Sequence, residues 1–392
     1  MTISNLRRVT RDGSWIPEID GLRFIAIFSV LLFHMAGELA NRSGHLIAVE
    51  PRYHFLLWMI GNGDRGVRLF FVISGMILAM PYARQYLAGG KKVSLRKYYL
   101  RRVTRLEPPY LLAMLLFTVM VATYTRGHLE PHYARHAVAS ALYLHTVAYG
   151  TASIINPVTW SLEVEIQFYV VAPLIMKLFR IPGKLARRTV MLVGILALGL
   201  VQSAWHPGVI YRVGILFYLQ YFLAGLLLAD IFVLDLAKMR TSWLWDLAAI
   251  FSLAVMLGPD HNLFAAHVVL PFTFALLCLA AMRSVLFRRL VSTSWVAVLG
   301  GMCYSIYLLH FALIAVFFKL TRHAISPKVD FLGNYLIQWV LMGVPVLLLC
   351  TLFYVLVERP CMDPQWPSKL WHRVTGHSGT EVDGLDASGI AE

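Results

Sequence analysis

The sequence predicts an all-α polytopic membrane protein with about ten transmembrane helices and both termini in the cytoplasm. Three observations predict it. Hydrophobic residues make up 58% of the 392-residue chain and charged residues only 14%, too apolar a balance for a soluble protein of this length. Apolar runs of about 20 residues, long enough to cross a bilayer as helices, recur along the chain. Lys and Arg gather in short clusters between alternate runs, and this asymmetry sets orientation.

The runs lie at roughly 19–38, 66–83, 107–125, 160–179, 189–205, 209–230, 243–258, 263–282, 296–318 and 333–357. The stretch 131–150 carries His132, Arg135, His136 and His145, and reads as an interfacial or short re-entrant helix. Arg7, Arg8 and Arg11 precede the first run, and no small-residue cleavage site follows it, so it reads as a span and not as a secretory signal. The densest basic cluster occupies 84–105. Others fall at 177–188, 238–240, 283–289 and 359–373, while the alternate loops are poorer in Lys and Arg. An even number of spans with cytoplasmic termini follows. The chain is expected to divide into a cytoplasmic N-terminal segment (1–18), a transmembrane core (19–360) and a polar, disordered tail (361–392). No internal repeat and no second, soluble domain is visible.

The net charge of +14 does not point to nucleic acid, because the basic residues sit between apolar runs and form no continuous face. Cys278, Cys303 and Cys350 fall within apolar runs and Cys361 just past the last one. None has metal-ligand spacing, so neither a metal site nor a disulfide framework is expected.

Five motifs carry candidate chemistry. In "EIDGLRFIAIFSVLLFH", Arg23 and His34 are eleven residues apart, close to three helical turns. They share one face, roughly 16 Å apart along the axis. Singly, each reads as an interfacial anchor. Together they suggest a face turned to the protein interior or a wet cavity. In "GVRLFFVISG", Ser74 and Gly75 permit close helix packing, and Arg68 is the single charge of that run. In "YYLRRVTRLEPPYLL", Arg101 and Arg105 share a helix face, Arg102 lies beside them, and Pro108–Pro109 suits a break or a fresh helix start near Glu107. This cluster is either a phosphate site or a positive-inside anchor.

In "TWSLEVEIQFY", Glu163 and Glu165 point to nearly opposite helix faces. Ser161, Glu165 and Tyr169 share one face, and Trp160 opens the motif. A buried glutamate there suits orienting a histidine or proton transfer; an interfacial one needs no such role. In "CYSIYLLHF", Tyr304, Tyr307 and His310 recur at helical spacing, with His310 either a second site residue or an interfacial histidine.

Taken in order, these motifs resemble acyltransferase family 3, the integral-membrane O-acyltransferases. The matching stretches are "DGLRFIAIFSVLLFH", "FFVISG", "RRVTRLEPPY", "WSLEVEIQFY", "YSIYLLH" and a closing "VERP". The resemblance implies transfer of an acyl group, often acetyl, from cytoplasmic acyl-CoA to a hydroxyl. The acceptor it implies is a surface polysaccharide, lipopolysaccharide or another glycoside, including lipid-linked sugars, at the inner (plasma) membrane and in contact with membrane lipid. Carried over by position, Arg23 and His34 match the family's Arg–ten residues–His motif, Arg101, Arg102 and Arg105 its basic motif, and Glu165 its glutamate. On that basis Arg23, Arg101, Arg102 and Arg105 are expected to bind acyl-CoA, His34 to act as base or acyl carrier, and Glu165 to orient or neutralise His34. Ser74, Trp160, Ser161, Tyr307 and His310 are further site candidates. Arg68 is a departure, since relatives often carry an acidic residue there. No SGNH-type esterase domain follows the core, so a stand-alone form is expected. From the residues alone, a transporter of a small polar or anionic solute is the competing class. Matching half-repeats would mark one, and none is seen.

Overall fold

The computed structural model describes residues 6, 8, 15–43, 50–124, 132–204, 214–258, 264–363 and 365–369. Arg7, Arg11, the start of the expected run 209–230 and the tail beyond 369 lie outside the described residues. Among the described residues every regular element is helical. We number the helices α1 (Pro17–Ser43), α2 (His54–Gly61), α3 (Gly66–Leu87), α4 (Leu95–Tyr124), α5 (Tyr133–Ala141), α6 (His145–Tyr149), α7 (Trp160–Ile175) and α8 (Lys184–Ala204). Then come α9 (Ile215–Leu234), α10 (Leu244–Leu257), α11 (Leu270–Arg283), α12 (Leu286–Val291), α13 (Ser294–Gly301) and α14 (Cys303–Thr321). The last, α15, runs Phe331–Cys361, with π-helical turns at Trp339–Gly343 and Tyr354–Glu358.

Eight of the described helices are long and apolar enough to cross a membrane, so this is a multi-pass membrane protein. The expected runs 160–179 and 243–258 differ. They become α7 and α10, of 16 and 14 residues. At 1.5 Å per residue these reach roughly 24 and 21 Å, short of a hydrocarbon core of about 30 Å. The run 296–318 is split at Met302 into α13 and α14. Gly300, beside the split, lies directly against the Asp20 carbonyl of α1, where any Cβ would clash. The segment 131–150 holds two short helices, α5 and α6.

The double proline does not start a helix. α4 is a single 30-residue helix with Pro108 and Pro109 inside it. A proline offers no N–H and so leaves the carbonyl four residues back unpaired. Here Trp366 Nε1 donates to the Thr104 carbonyl at 2.9 Å, and the Tyr304 hydroxyl donates to the Leu106 carbonyl at 2.9 Å. Trp366 thus fills the gap that Pro108 leaves, while the Tyr304 bond ties α14 to the same stretch of α4. The first turns of the tail, through Lys369, are therefore structured and serve α4.

Two apolar clusters form the core. Leu22 and Ala26 of α1 join α3, α7, α9 and α11 in one. Ile27, Leu31, Met35 and Leu39 of the same helix join α4, α14 and α15 in the other. α1 is therefore the helix shared by both clusters. α3 and α9 cross backbone to backbone at Gly75 and Gly225, each facing the other helix so closely that a Cβ would meet main-chain atoms. The basic residues that open α8 are not free anchors. Arg187 and Arg188 grip Asp230 at 2.5 and 2.6 Å, while Arg188 and Lys184 each reach Asp235 at 2.5 Å. Buried Arg65 likewise closes the C-terminal end of α10, donating to the carbonyls of Val255, Met256 and Gly258.

Candidate active site

A cavity of about 520 Å³ opens between α1, α3, α4, α7, α14 and the end of α15. Its walls change character with depth in the sequence order of α4. Lys91, Lys92, Lys97 and Arg101 come from the 91–94 loop and the first turns of α4, and Arg102 and Arg105 follow on the same helix. Arg23 of α1 and Arg8 join them. All four arginines assigned to donor binding therefore line one space. Arg101, Arg102 and Arg105 do so from one continuous helix, α4, not from the N-terminus of a fresh one.

The arginines are held differently. Arg23 Nη1 donates to Asp20 at 2.7 Å, and Asp20 also receives the Trp15 indole at 2.9 Å and faces Arg8 at 3.7 Å. The Arg102 guanidinium lies 3.6 Å over the Tyr98 ring and 5.3 Å from that of Tyr169, and donates to the Tyr98 carbonyl at 2.7 Å. Both contacts fix its plane. Yet Nε of Arg102 and Nε of Arg105 are buried and have no hydrogen-bond partner among the described residues. A buried N–H without an acceptor is costly, and both arginines belong to a cavity wall whose concentrated positive charge suits an anion. Arg8, outside the spans, responds to the same crowding: burial first, then Arg105 and Arg23, pushes its pKa down.

Glu165 Oε1 accepts from the Ser74 hydroxyl at 2.6 Å and from the Tyr169 hydroxyl at 2.5 Å. This ties α3 to α7 across the cavity and places Tyr169 under Arg102. Glu163 points the other way and accepts the Thr146 N–H at 2.8 Å, as the helix geometry requires. At the α14 wall, the Tyr307 hydroxyl donates to the Val158 carbonyl, so Ser161 is the donor in their 2.8 Å contact.

His34 and His310 do not line this cavity. Their rings sit together, centres 5.1 Å apart, with Phe33 and Phe311 against His34. The link to the cavity is Tyr307, whose ring lines it and lies 6.3 Å from that of His310. The expected contact between Glu165 and His34 is absent. Both hydroxyls that bond Glu165 belong to Ser74 and Tyr169, and the titratable ring beside His34 is that of His310. The reason is the helix period: Glu165 shares its face with Ser161 and Tyr169, which the packing turns toward α3 and α4. Trp160 is also outside the cavity, its ring 5.4 Å from Tyr218.

Two acids escaped the sequence reading: Asp20, which pairs with Arg23 behind the cavity wall, and Glu358, which lines the cavity. Asp20 was signalled by its position three residues before Arg23, a helical pairing distance. Glu358, the acid of "VERP", is buried and accepts both the Ser305 N–H at 3.0 Å and the Ser305 hydroxyl at 2.5 Å. No local spacing links residues so far apart in sequence. No group of His, Cys, Asp and Glu among the described residues is arranged to hold a metal.

The chain is thus a multi-pass helical membrane protein with an arginine-lined cavity and a histidine pair one tyrosine away from it. The family profile described as "Acyltransferase domain" (Acyl_transf_3) matches residues 16–355, and the chain belongs to that family. It is 27% identical over 337 residues to "O-acetyltransferase OatA" of Staphylococcus aureus (strain NCTC 8325 / PS 47), covering 76% of this chain and 51% of the relative. It is also 27% identical over 212 residues to "Peptidoglycan O-acetyltransferase OatA" of Listeria monocytogenes, covering 51% of this chain and 30% of that relative. The chain thus spans about half the length, or less, of these curated relatives. No solved structure matches it.

Proposed function

We propose that this protein is an O-acyltransferase of the inner (plasma) membrane that moves an acyl group, acetyl in the simplest case, from acyl-CoA to a glycan hydroxyl. One observation carries the reading: Arg23, Arg101, Arg102 and Arg105, from two different helices, line a single cavity. Acyl-CoA brings phosphates, and arginine donors of this kind suit them. The basic clustering puts this cavity on the cytoplasmic side, where acyl-CoA is found. The pantetheine arm then extends past Tyr307 toward His34, a distance of roughly 16 Å measured along α1 from Arg23. Both relatives are named O-acetyltransferases, which supports the transferred group, and the Listeria monocytogenes one is named for peptidoglycan, which supports a glycan acceptor.

In the reaction, the acceptor oxygen attacks the thioester carbonyl and the carbonyl–sulfur bond breaks. His34 takes the hydroxyl proton and returns it to the departing CoA thiolate, or carries the acyl group between the two. Glu165, with Ser74 and Tyr169, shapes the donor cavity, and Ser161 and Tyr307 form its inner wall.

The test uses the full chain in proteoliposomes with radiolabelled acetyl-CoA and glycan strands from the producing organism's envelope. Alkali-labile label on the glycan is expected, lost in His34→Ala and reduced in Arg105→Ala. A well-folded His34→Ala protein that labels glycan like wild type would overturn the assignment.

A further inference from the structure

His310 is buried completely, and its two ring nitrogens are unlike. Nδ1 lies 2.9 Å from the Ile306 carbonyl and 2.9 Å from the Tyr307 carbonyl. Carbonyl oxygens only accept, so Nδ1 carries the hydrogen and the tautomer follows from the geometry. Nε2 is then a bare lone pair, and it is buried without a partner among the described residues. A buried acceptor left empty is unfavourable and marks a group waiting for a donor. The ring beside it is His34, centre to centre 5.1 Å. The rings are tilted at 50° and no hydrogen bond joins them as they stand; a ring nitrogen lies roughly 1.1 Å from its ring centre, so a turn of the His34 ring that faced the nitrogens at this spacing would bring them to about 2.9 Å, an ordinary hydrogen-bond length.

We infer that His310 is the positioning residue of the reaction: with the His34 ring turned to face it, its Nε2 accepts the N–H of His34 and so leaves the opposite nitrogen of His34 as a free lone pair. That role was expected of Glu165, whose bonds go elsewhere. The requirement is the same whether His34 removes the acceptor proton or takes up the acyl group. In both cases the reacting nitrogen needs its lone pair and the other nitrogen needs its hydrogen placed. When His34 becomes cationic, the Nε2 lone pair of His310 stabilises the charge at a site with no other carboxylate in contact. Because the Nδ1 hydrogen is shared by two carbonyls of the same helix, His310 cannot present that hydrogen to His34 without breaking α14's own bonds. The inference rests on the acyl-transfer reading above.

The two nitrogens of His310 can be tested separately. A glutamine side chain places its amide near the Nε2 position, and an asparagine near Nδ1. The full chain and its variants are expressed in a strain lacking the native copy, and alkali-released acetate from the envelope is measured against membrane protein level. If His310 positions His34, His310→Gln retains about a tenth or more of wild-type acetate, while His310→Asn and His310→Leu fall about 100-fold. If His310 only ties its own helix together, the order reverses: Asn, which replaces the Nδ1 bond, works as well as or better than Gln, and the inference is overturned. His310→Leu at wild-type level overturns it too. His34→Ala separates the two ideas. A dead His34→Ala beside an active His310→Leu sinks only the inference, whereas an active His34→Ala, or a wild-type chain that adds no envelope acetate, sinks the acyl-transfer reading with it.

Discussion

Trp366 reaches across from the end of the chain to the middle of α4, and its indole N–H occupies the Thr104 carbonyl that Pro108 leaves unpaired. The bond holds straight the helix that carries Arg101, Arg102 and Arg105. Trp366→Phe keeps the ring and removes the donor. It is expected to lower stability by about 1–2 kcal/mol, the cost of one orphaned carbonyl. Thermal unfolding in detergent measures this, and truncation after residue 363 should give an equal or larger loss. An unchanged midpoint in both would show that water repairs the proline gap by itself.

Arg102 is expected to act through its plane as much as its charge. It is stacked over Tyr98, with Tyr169 close by, and lines the cavity. Arg102→Lys keeps the cation but loses the fork and most of the stacking. The donor KM should rise about 10-fold with kcat little changed, and Arg105→Ala should do the same. Steady-state kinetics against acetyl-CoA concentration decide it. A lysine variant with wild-type KM would mean that only net charge matters at this wall.

Much of this protein can be read from its sequence, for a physical reason. A helix that must satisfy all its backbone bonds inside lipid leaves an unmistakable apolar run, and eight of the runs are helices long enough to cross. The Arg23–His34 face and the α4 arginines were legible because helical neighbours stand at fixed spacings. What failed were relations between distant segments. Glu165 could be placed on a face, but nothing local says that this face turns to Ser74 and not to His34. Pro108–Pro109 looked like a boundary because the group that fills the Pro108 gap, Trp366, lies 262 residues beyond the carbonyl it meets. Lys184, Arg187 and Arg188 looked like topology anchors because their partners, Asp230 and Asp235, lie on another helix.

That last network predicts a strong stability effect. Asp230 is fully buried between two arginines. Asp230→Ala leaves both without their counter-charge and is expected to cost about 3–5 kcal/mol, seen as poor yield and a lowered unfolding midpoint in detergent. Asp235 adds a pH dependence. The hydrogen bond from Lys184, then that from Arg188, holds its carboxyl below the ordinary value against an opposing effect of burial. A depressed carboxylate stabilises fully above its unfolded pKa and loses that contribution as pH falls through its folded one. Acid unfolding should therefore begin at higher pH in the wild type than its neutral-pH stability alone suggests, and Asp235→Asn should flatten the acid limb. An identical limb in the variant would remove Asp235 from the account.

Glu165 offers the sharpest contrast between the two ways of reading this site. Its Oε1 collects the hydroxyls of Ser74 and Tyr169, and Tyr169 lies beneath Arg102. If Glu165 serves the donor cavity, Glu165→Gln retains an acceptor for both hydroxyls and changes the donor KM less than about 3-fold. Glu165→Ala then strands two hydroxyls, frees Tyr169 and raises the donor KM about 10-fold or more, with kcat falling less. If instead the carboxylate acts on His34, Gln and Ala both lose the charge, and kcat falls in both while the donor KM holds. A Michaelis analysis of the two variants against acetyl-CoA separates these outcomes. The packing of α7 against α3 makes the first the expected one: a carboxylate oxygen engaged by two hydroxyls at 2.6 and 2.5 Å is already spoken for.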